Sequence, residues 1–226
     1  MFTSNACLRR HAKHLCALAA VVLLNNYLTA QRIPHPAPAG PSDNSKIPWT
    51  YNITVDGYVV PNDQSYVDPI FSADRKWLHL EARYNYENLR TGSAWMGYNF
   101  HAGKTLGLNI TPMLGVVFGR TDGIAPGCEA SLTYKKVELS ISNEYVFDLS
   151  GESGSFYFSW PQLTYSPVEW FRVGAVAQHT KAYRTDLSIQ SGFLIGFSHK
   201  KWEFTTYVLN PFIADSVVVL ELGFSF

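Results

Sequence analysis

Apolar and polar residues alternate along the last ten residues of the chain, 217–226, which read VVVLELGFSF. Every second position is apolar, and the five residues that share this parity are Val218, Leu220, Leu222, Phe224 and Phe226. A period of two residues is typical of a β-strand with one apolar face. An apolar strand without a polar tail to cover it would promote aggregation in water. The segment therefore predicts a strand that faces lipid.

The same period recurs from residue 49 onward, and no stretch of ten residues there keeps the 3.6-residue period of an amphipathic helix. Turn-forming residues separate the alternating segments. The predicted strands are 49–60, 64–72, 76–87, 92–101, 105–118, 125–134, 137–148, 155–165, 170–179, 187–198, 202–210 and 217–226. Their lengths suit tilted membrane strands better than soluble sheets. The predicted fold is all-β, a single antiparallel transmembrane β-barrel of twelve strands.

The strand count depends on the N-terminal part of the barrel. Ten of the predicted strands lie from Trp77 onward. The strand 49–60 would bring the count to an odd eleven unless the segment 64–72 supplies a twelfth strand that pairs with it. Bacterial single-chain barrels have even numbers of strands. Twelve strands are therefore favoured, with turns at 61–63 and 73–75. Pro69 inside the short second strand favours the alternative of ten.

Two other prolines interrupt alternating segments. Pro112 lies within an apolar strand, and alternation is lost at Pro161. A proline cannot donate a hydrogen bond to a neighbouring strand. We therefore predict a bulge or bend near Pro112 and a second bulge at Pro161.

A final strand of alternating apolar residues that ends in Phe226 resembles the C-terminal signal of bacterial outer-membrane β-barrel proteins. The resemblance implies location in the outer membrane of a Gram-negative-type bacterium, with the lipid bilayer and the barrel assembly machinery as partners. It also places Phe226 on the periplasmic side. The connections on that side, at 102–104, 135–136, 166–169 and 199–201, are then shorter on average than those on the opposite side, as in outer-membrane barrels.

The first 30 residues predict a secretory signal peptide. Arg9, Arg10 and Lys13 precede an apolar run, Leu15–Leu24, that is too short to span a membrane as a helix. Residues 31–48 contain five prolines and predict a disordered leader. The predicted order is therefore signal peptide 1–30, leader 31–48 and barrel 49–226.

Composition supports a surface that is only partly in water. Charged residues make up 16% of the 226 residues, against about 25% in soluble domains, and aromatic residues make up 15%. Without the signal peptide the chain keeps 15 basic and 18 acidic residues, so we expect no nucleic-acid partner. The six tryptophans, which lie mostly near predicted strand ends as in aromatic girdles, are Trp49, Trp77, Trp95, Trp160, Trp170 and Trp202.

If the apolar positions face lipid, the alternate positions face the lumen. The polar candidates are His79, Glu81, Arg83, Asn99, Glu129, Glu138, Glu144, Arg172, Gln178, Gln190, Glu203 and Glu221. Glutamates outnumber arginines in this set, and acidic rings select for cations. The pattern predicts a small porin-like channel with a polar, acid-biased lumen, or a structural barrel whose lumen is filled by paired side chains.

No catalytic motif stands out. G-x-S-x-G, H-E-x-x-H and the phosphate-binding glycine loop are all missing from the sequence, so we expect no enzyme, no cofactor and no metal site. Cys128, the one cysteine outside the signal peptide, has no disulfide partner. Two alternatives stay open: a soluble secreted β-barrel that binds a small apolar ligand, and an outer-membrane enzyme that uses His79 and Glu81 as an acid–base pair.

Overall fold

The computed structural model describes residues 47–61, 64–151, 154–180, 188–212 and 216–226. The predicted signal peptide and residues 31–46 of the predicted leader lie outside the described residues. The barrel is built from described residues of the compact unit Ser45–Phe226. Among the described residues, no helix has the length and apolar character needed to cross a membrane.

The described chain forms β-strands of 3 to 14 residues. They are β1 (Thr50–Val59), β2 (Tyr66–Arg75), β3 (Leu78–Tyr84), β4 (Thr91–Tyr98), β5 (Phe100–Ala102), β6 (Leu106–Gly119), β7 (Gly123–Tyr134), β8 (Val137–Asp148), β9 (Phe156–Val168), β10 (Phe171–Thr180), β11 (Ser188–His199), β12 (Trp202–Leu209) and β13 (Val217–Ser225).

Every strand pairs in antiparallel fashion with its neighbours, and β1 pairs with both β2 and β13, which closes the sheet. β4 and β5 pair with the same strand, β6, and are two parts of one membrane strand separated by Asn99. The result is a closed twelve-stranded barrel. The prediction of an all-β barrel with twelve strands is confirmed, and the ten-stranded alternative is wrong.

The closing seam joins the two ends of the barrel chain. Val59 lies opposite Val218 at one end of the seam and Asn52 lies opposite Ser225 at the other. Beyond the last paired residues, the backbones of Tyr51 and Phe226 exchange two hydrogen bonds of 3.0 and 2.9 Å. The final strand is thus fully paired, and its apolar face points outward.

The connections at the end of the barrel that carries Phe226 are short. Three of them are two-residue turns that begin with Lys76, Lys135 and Lys200, whose φ angles of 56°, 54° and 58° are those that tight hairpins require. The predicted turn at 73–75 is wrong, because these residues belong to β2 and the chain turns at Lys76. The connections at the opposite end, such as 85–90, are mostly longer.

The prolines disturb pairing at other places than predicted. Across Pro112 the register with both neighbouring strands is the same on either side, so there is no bulge. The pairing gap falls on the partner strand at Tyr98 and Asn99, which the register places opposite Pro112 and Thr111. Pro161 also keeps its register with β8. The register shift between β9 and β10 lies near Pro167 instead, where β9 has one extra residue between Tyr165 and Val168.

Pro69 is tolerated inside β2 because of its position in the ladder. It lies opposite Val55 of β1, whereas the pairing of β2 with β3 begins one residue later, at Ile70. A proline at the limit of a ladder removes no hydrogen bond from it. The evidence for the ten-stranded alternative is explained by this placement.

The outer wall of the barrel is apolar. Side chains alternate between the two faces of each strand, and exposed members of the outer face include Leu80, Met96, Leu114, Val116, Phe118, Leu132, Leu139, Phe147, Phe193, Ile195, Leu220 and Leu222. A soluble barrel has the opposite arrangement, with polar residues outside and apolar residues inside. This wall therefore does not fit the soluble alternative.

Aromatic rings form a band at the short-turn end. Trp202 contacts the ring of Phe224, Phe224 stacks on Phe226, and Phe226 stacks on Tyr51 at a centroid distance of 5.4 Å. Tyr51 in turn stacks on Trp49. Amphipathic rings at this level are typical of the membrane interface of barrels.

Trp95 and Trp160 are exceptions to the tryptophan prediction. Trp95 is 3% exposed inside the barrel, in contact with Met113 and other buried residues. Trp160 packs edge-on against the inward-facing ring of Tyr207 at 5.3 Å. Both tryptophans have the inward parity of their strands, so they fill the lumen and do not belong to the aromatic band.

Candidate functional site: the lumen

Three ionisable residues of β3 point into the barrel. His79, Glu81 and Arg83 alternate with the outward Leu80 and Ala82, because side chains two apart on a strand share a face. The three inward residues are 6%, 8% and 5% exposed. Buried charges at this density need partners, and the neighbouring strands provide them.

Arg83 is the centre of the first cluster. Its Nη1 donates to Glu144 Oε2 at 2.7 Å, and its Nε donates to Glu81 Oε1. Its guanidinium carbon lies 4.3 Å from the ring centre of Tyr86 and 4.5 Å from that of Trp95. These contacts hold Arg83 between two aromatic faces, which favours a desolvated guanidinium. Since Glu144 belongs to β8, the hydrogen bond crosses the lumen from one wall to another.

The connection 85–90 bends into the lumen and adds a further acid. Glu87 Oε1 accepts hydrogen bonds from Ser93 Oγ at 2.5 Å and from Trp95 Nε1 at 3.2 Å. Asn85 has a φ of 67°, and its Oδ1 accepts a hydrogen bond from the backbone N–H of Arg90. This hydrogen bond joins the two ends of the connection. The sequence prediction extended the third strand to residue 87 and so missed the inward position of Tyr86 and Glu87.

A chain of hydrogen bonds extends from His79 to the neighbouring strands. His79 Nδ1 lies 2.8 Å from Asp74 Oδ1, which also accepts from Asn99 Nδ2 at 2.7 Å. Thr111 Oγ1 donates to Asn99 Oδ1 at 2.7 Å. The break between β4 and β5 thus places the Asn99 amide where it holds the Asp74 carboxylate. The opposite ring nitrogen, His79 Nε2, lies 3.4 Å from Glu81 Oε2.

A second cluster surrounds Arg172 on β10. Its guanidinium donates to Thr205 Oγ1 at 2.6 Å, lies 3.4 Å from Glu221 Oε1 and contacts Glu203. Tyr207 donates its hydroxyl proton to Glu221 Oε2 at 2.8 Å. This cluster is more hydrated than the first, since the Arg172 side chain is 27% exposed and that of Glu203 is 40% exposed.

Two aspartates that the sequence analysis did not select complete an acidic row. Asp56 lies opposite Asp68 on one side and opposite Glu221 on the other. Asp68 is 2% exposed, and Oδ1 of each aspartate has no hydrogen-bond partner among the described residues. The alternation of Thr54, Asp56 and Tyr58 could have indicated that Asp56 faces the lumen. For Asp68, the neighbouring Pro69 obscured which face of the strand the side chain occupies.

Of the remaining predicted residues, three lie apart from both clusters: Glu138, Gln178 and Gln190. Glu138 accepts a hydrogen bond from Thr133 Oγ1 at 2.8 Å. Gln178 and Gln190 lie opposite each other on β10 and β11. Glu129 lies closer to the first cluster, with Oε1 3.9 Å from Arg83 Nη2, and its side chain is 40% exposed. The structure therefore brings His79, Glu81, Arg83, Glu129 and Glu144 together, joins Asn99 to them through Asp74, and places Arg172, Glu203 and Glu221 in a second group.

A cavity of about 210 Å³ lies between the two clusters. Its lining is both polar and apolar. The polar side chains are Asn52, Thr54, Asp56, Ser72, Glu81, Arg83, Glu129, Ser142, Gln162 and Glu221, and the aromatic and aliphatic ones are Tyr58, Ile70, Tyr86, Phe158, Trp160 and Tyr207. Tyr58, Leu209, Val217 and other buried apolar residues pack near the ends of β1, β12 and β13 that lead to the longer connections. The lumen is thus polar in its middle and narrowed by apolar side chains.

Solved structures of other proteins have a similar fold. The chain aligns with the KdgM porin at a TM-score of 0.57 and 11% identity over 77% of this chain and 99% of that chain. The chain thus shares the fold of this porin, a closed antiparallel β-barrel. A KdgM porin in complex with disordered oligogalacturonate gives the same TM-score at 10% identity over the same shares. The Acinetobacter baumannii outer membrane protein Omp33 aligns at 0.47 and 9% identity over 79% of this chain and 98% of that chain.

Sequence comparisons add no closer relative. No protein-family model matches the chain, and no curated protein is significantly similar to it. The likeness to the KdgM porin concerns the fold alone, because a shared barrel does not fix what passes through it. Function therefore has to be argued from the side chains of the lumen.

Proposed function

We propose that the protein is a small porin-like channel of the bacterial outer membrane that conducts small cations in preference to anions. In this proposal residues 1–30 direct export, the barrel assembly machinery reads the C-terminal strand, and the barrel is not an enzyme. The proposal rests on the polar cavity inside a closed barrel with an apolar outer wall.

The charge distribution around the cavity supports a preference for cations. Asp56, Glu81, Glu129 and Glu221 line the cavity, whereas Arg83 is the one cation in that lining. Arg83 is already paired with Glu81 and Glu144. Among these groups, Asp56 Oδ1 has no hydrogen-bond partner among the described residues, and a passing cation would supply one.

The contacts across the lumen support a narrow pathway. The Arg83–Glu144 hydrogen bond links β3 to β8, and the ring contact between Tyr86 and Phe158, at 5.2 Å, links connection 85–90 to β9. These groups would need to move for a large solute to pass. We therefore propose conduction of inorganic ions and not of large organic solutes.

The ion preference can be tested by reversal potentials in planar bilayers under a KCl gradient. We expect the wild-type barrel to prefer K⁺ over Cl⁻, and Asp56→Asn combined with Glu221→Gln to reduce that preference at least twofold, because two carboxyl groups are removed from the cavity lining. Glu169→Gln, in an exposed turn between β9 and β10, is the matched control and should leave the preference unchanged. An unchanged preference in the double variant would refute the role of the acidic row.

A structural barrel with a closed lumen is the second candidate, and the Arg83 cluster favours it. A closed lumen would give no current in the wild type, whereas Tyr86→Ala combined with Phe158→Ala would open a path by removing two rings that meet across the cavity. Current in the variant alone would identify the structural barrel. Enzymatic use of His79 has less support, because its contacts are the acidic groups of Asp74 and Glu81 and not a nucleophilic side chain.

A further inference from the structure

We propose that His79, Glu81 and Glu129 form a binding site for a divalent first-row metal ion such as Zn²⁺. One ligand atom from each side chain lies within 4.8 Å of the other two. The site lies on the wall of the lumen cavity, since Glu81 and Glu129 are part of its lining. The inference is independent of ion conduction, because binding can be measured on the folded barrel in detergent.

The orientation of His79 distinguishes this site from an ordinary acidic cluster. The imidazole is 6% exposed, and its Nε2 has no hydrogen-bond partner among the described residues. Nδ1 is held by the carboxylate of Asp74 at 2.8 Å. A carboxylate in this position fixes the ring, so that Nε2 is the nitrogen directed at Glu81 and available to a metal ion. A metal ion between Nε2 and the Glu81 carboxylate would bind both groups.

The support of the imidazole continues into the next strands. Asp74 also accepts from the Asn99 amide, which accepts from Thr111. Metal-binding histidines commonly have such a carboxylate behind them, and that carboxylate is commonly held by further hydrogen bonds. The arrangement therefore fixes the ring angle of His79 from outside the proposed site.

The geometry requires only a small movement to bind a metal. In a tetrahedral site with metal–ligand bonds of about 2.1 Å, ligand atoms lie roughly 3.4 Å apart. His79 Nε2 and Glu81 Oε2 already have a separation of 3.4 Å. Glu129 has to close the remaining distance, and its side chain, at 40% exposed, has the freedom to do so. The same exposure leaves a path from the lumen and room for a water ligand.

The ligand set indicates the class of metal. One imidazole nitrogen and two carboxylate oxygens suit Zn²⁺ and similar first-row ions better than Mg²⁺ or Ca²⁺, which prefer oxygen ligands alone. The two carboxylates balance the double charge of the ion. Arg83 contacts Glu81 through Oε1, which leaves Oε2 for the metal.

Isothermal titration of the metal-free, folded barrel with Zn²⁺ tests the proposal. We expect saturable binding of one ion per barrel in the wild type and its loss in His79→Gln and in Glu129→Gln. Asp74→Asn should weaken binding about 10- to 100-fold, because it removes only the support of the imidazole. His199→Gln, at the exposed end of β11, and Glu138→Gln, which lies in the lumen outside the site, are the matched controls and should bind as the wild type does.

Two results would overturn the proposal: no saturable binding in the wild type, or unchanged binding in both ligand variants. Glu129→Gln keeps the test valid if His79→Gln fails to fold, since Glu129 is the most exposed of the three ligands. Zn²⁺ should also raise the unfolding temperature of the wild type and of the two controls but not of the ligand variants. Equal stabilisation of all variants would assign the metal to another place.

Discussion

Arg83 is the residue on which the interior of the barrel depends most. It is 5% exposed and contacts Glu81, Glu144 and the rings of Tyr86 and Trp95. Loss of one partner from a buried ion pair leaves the other charge uncompensated. The acids around Arg83 are therefore stable inside the barrel only together with its guanidinium.

We predict that Arg83→Met lowers the free energy of unfolding by about 3–5 kcal/mol, since it keeps the volume but removes the charge. Urea unfolding in detergent, followed by tryptophan fluorescence, measures the change. Arg172→Met is the control and should cost only about 1 kcal/mol, because its pair with Glu203 is partly hydrated. Equal costs for the two variants would contradict the central role of Arg83.

At the residue scale, the alternation of apolar and polar residues predicted which side chains share a face of a strand, but not which side chains contact one another. The inward parity of His79, Glu81 and Arg83 follows from their alternation with apolar neighbours. Their partners Glu87 and Asp74 could not be predicted, since one lies on a connection that folds inward and the other was assigned to a turn. Contacts across a lumen depend on barrel closure and side-chain length, and neither appears in a single strand.

At the scale of elements, the seam between β1 and β13 determines the barrel. It closes the twelve strands into a ring and covers both edges, so no strand in the described part of the barrel is left unpaired to aggregate. The sequence predicted this pairing from the even-number rule and from the placement of Phe226. It also predicted most strands, because long alternating segments are a strong signal.

The register of the seam can be tested with cysteines. In a background without the native cysteines, Val59→Cys with Val218→Cys should form a disulfide under mild oxidation, because these residues lie directly opposite. Val59→Cys with Leu220→Cys is the matched control and should not, since diagonal residues are about 7–8 Å apart. The link is read on a denaturing gel as changed mobility. Efficient linkage of the control pair alone would show a shifted register.

The prolines explain where element prediction failed. Pro112 and Pro161 keep their registers, whereas the register shift lies near Pro167, next to a turn. A proline lacks only its N–H donor, and a short gap in the pairing of the partner strand, as at Tyr98 and Asn99, accommodates this without a bulge. Which solution a strand adopts depends on its neighbours, so the sequence of one strand does not determine it.

At the scale of the whole molecule, the outer wall implies lipid contact. Leu114, at 60% exposed, lies in the middle of β6, and the aromatic band lies near the short turns. We predict that Leu114→Arg destabilises the barrel in lipid vesicles by about 2–4 kcal/mol, because the charge would lie deep in the bilayer.

The matched control for Leu114→Arg is Val168→Arg, which changes an exposed outward residue at the end of β9. Its cost should be about 0–1 kcal/mol, because the strand end lies near the interface. Both values come from denaturant unfolding in vesicles. If the two substitutions lower the free energy of unfolding by the same amount, Leu114 does not lie deeper in the bilayer than Val168, and the proposed orientation of the barrel is wrong.

The most direct test of the whole account is single-channel recording of the purified, folded wild-type barrel in a planar bilayer, with folding verified by a heat-dependent shift on a denaturing gel. If the barrel is a cation-preferring channel, we expect stepwise currents of small, uniform conductance that are carried mainly by K⁺ in KCl. A folded barrel that inserts into the bilayer and passes no current, or one that prefers Cl⁻, would contradict it.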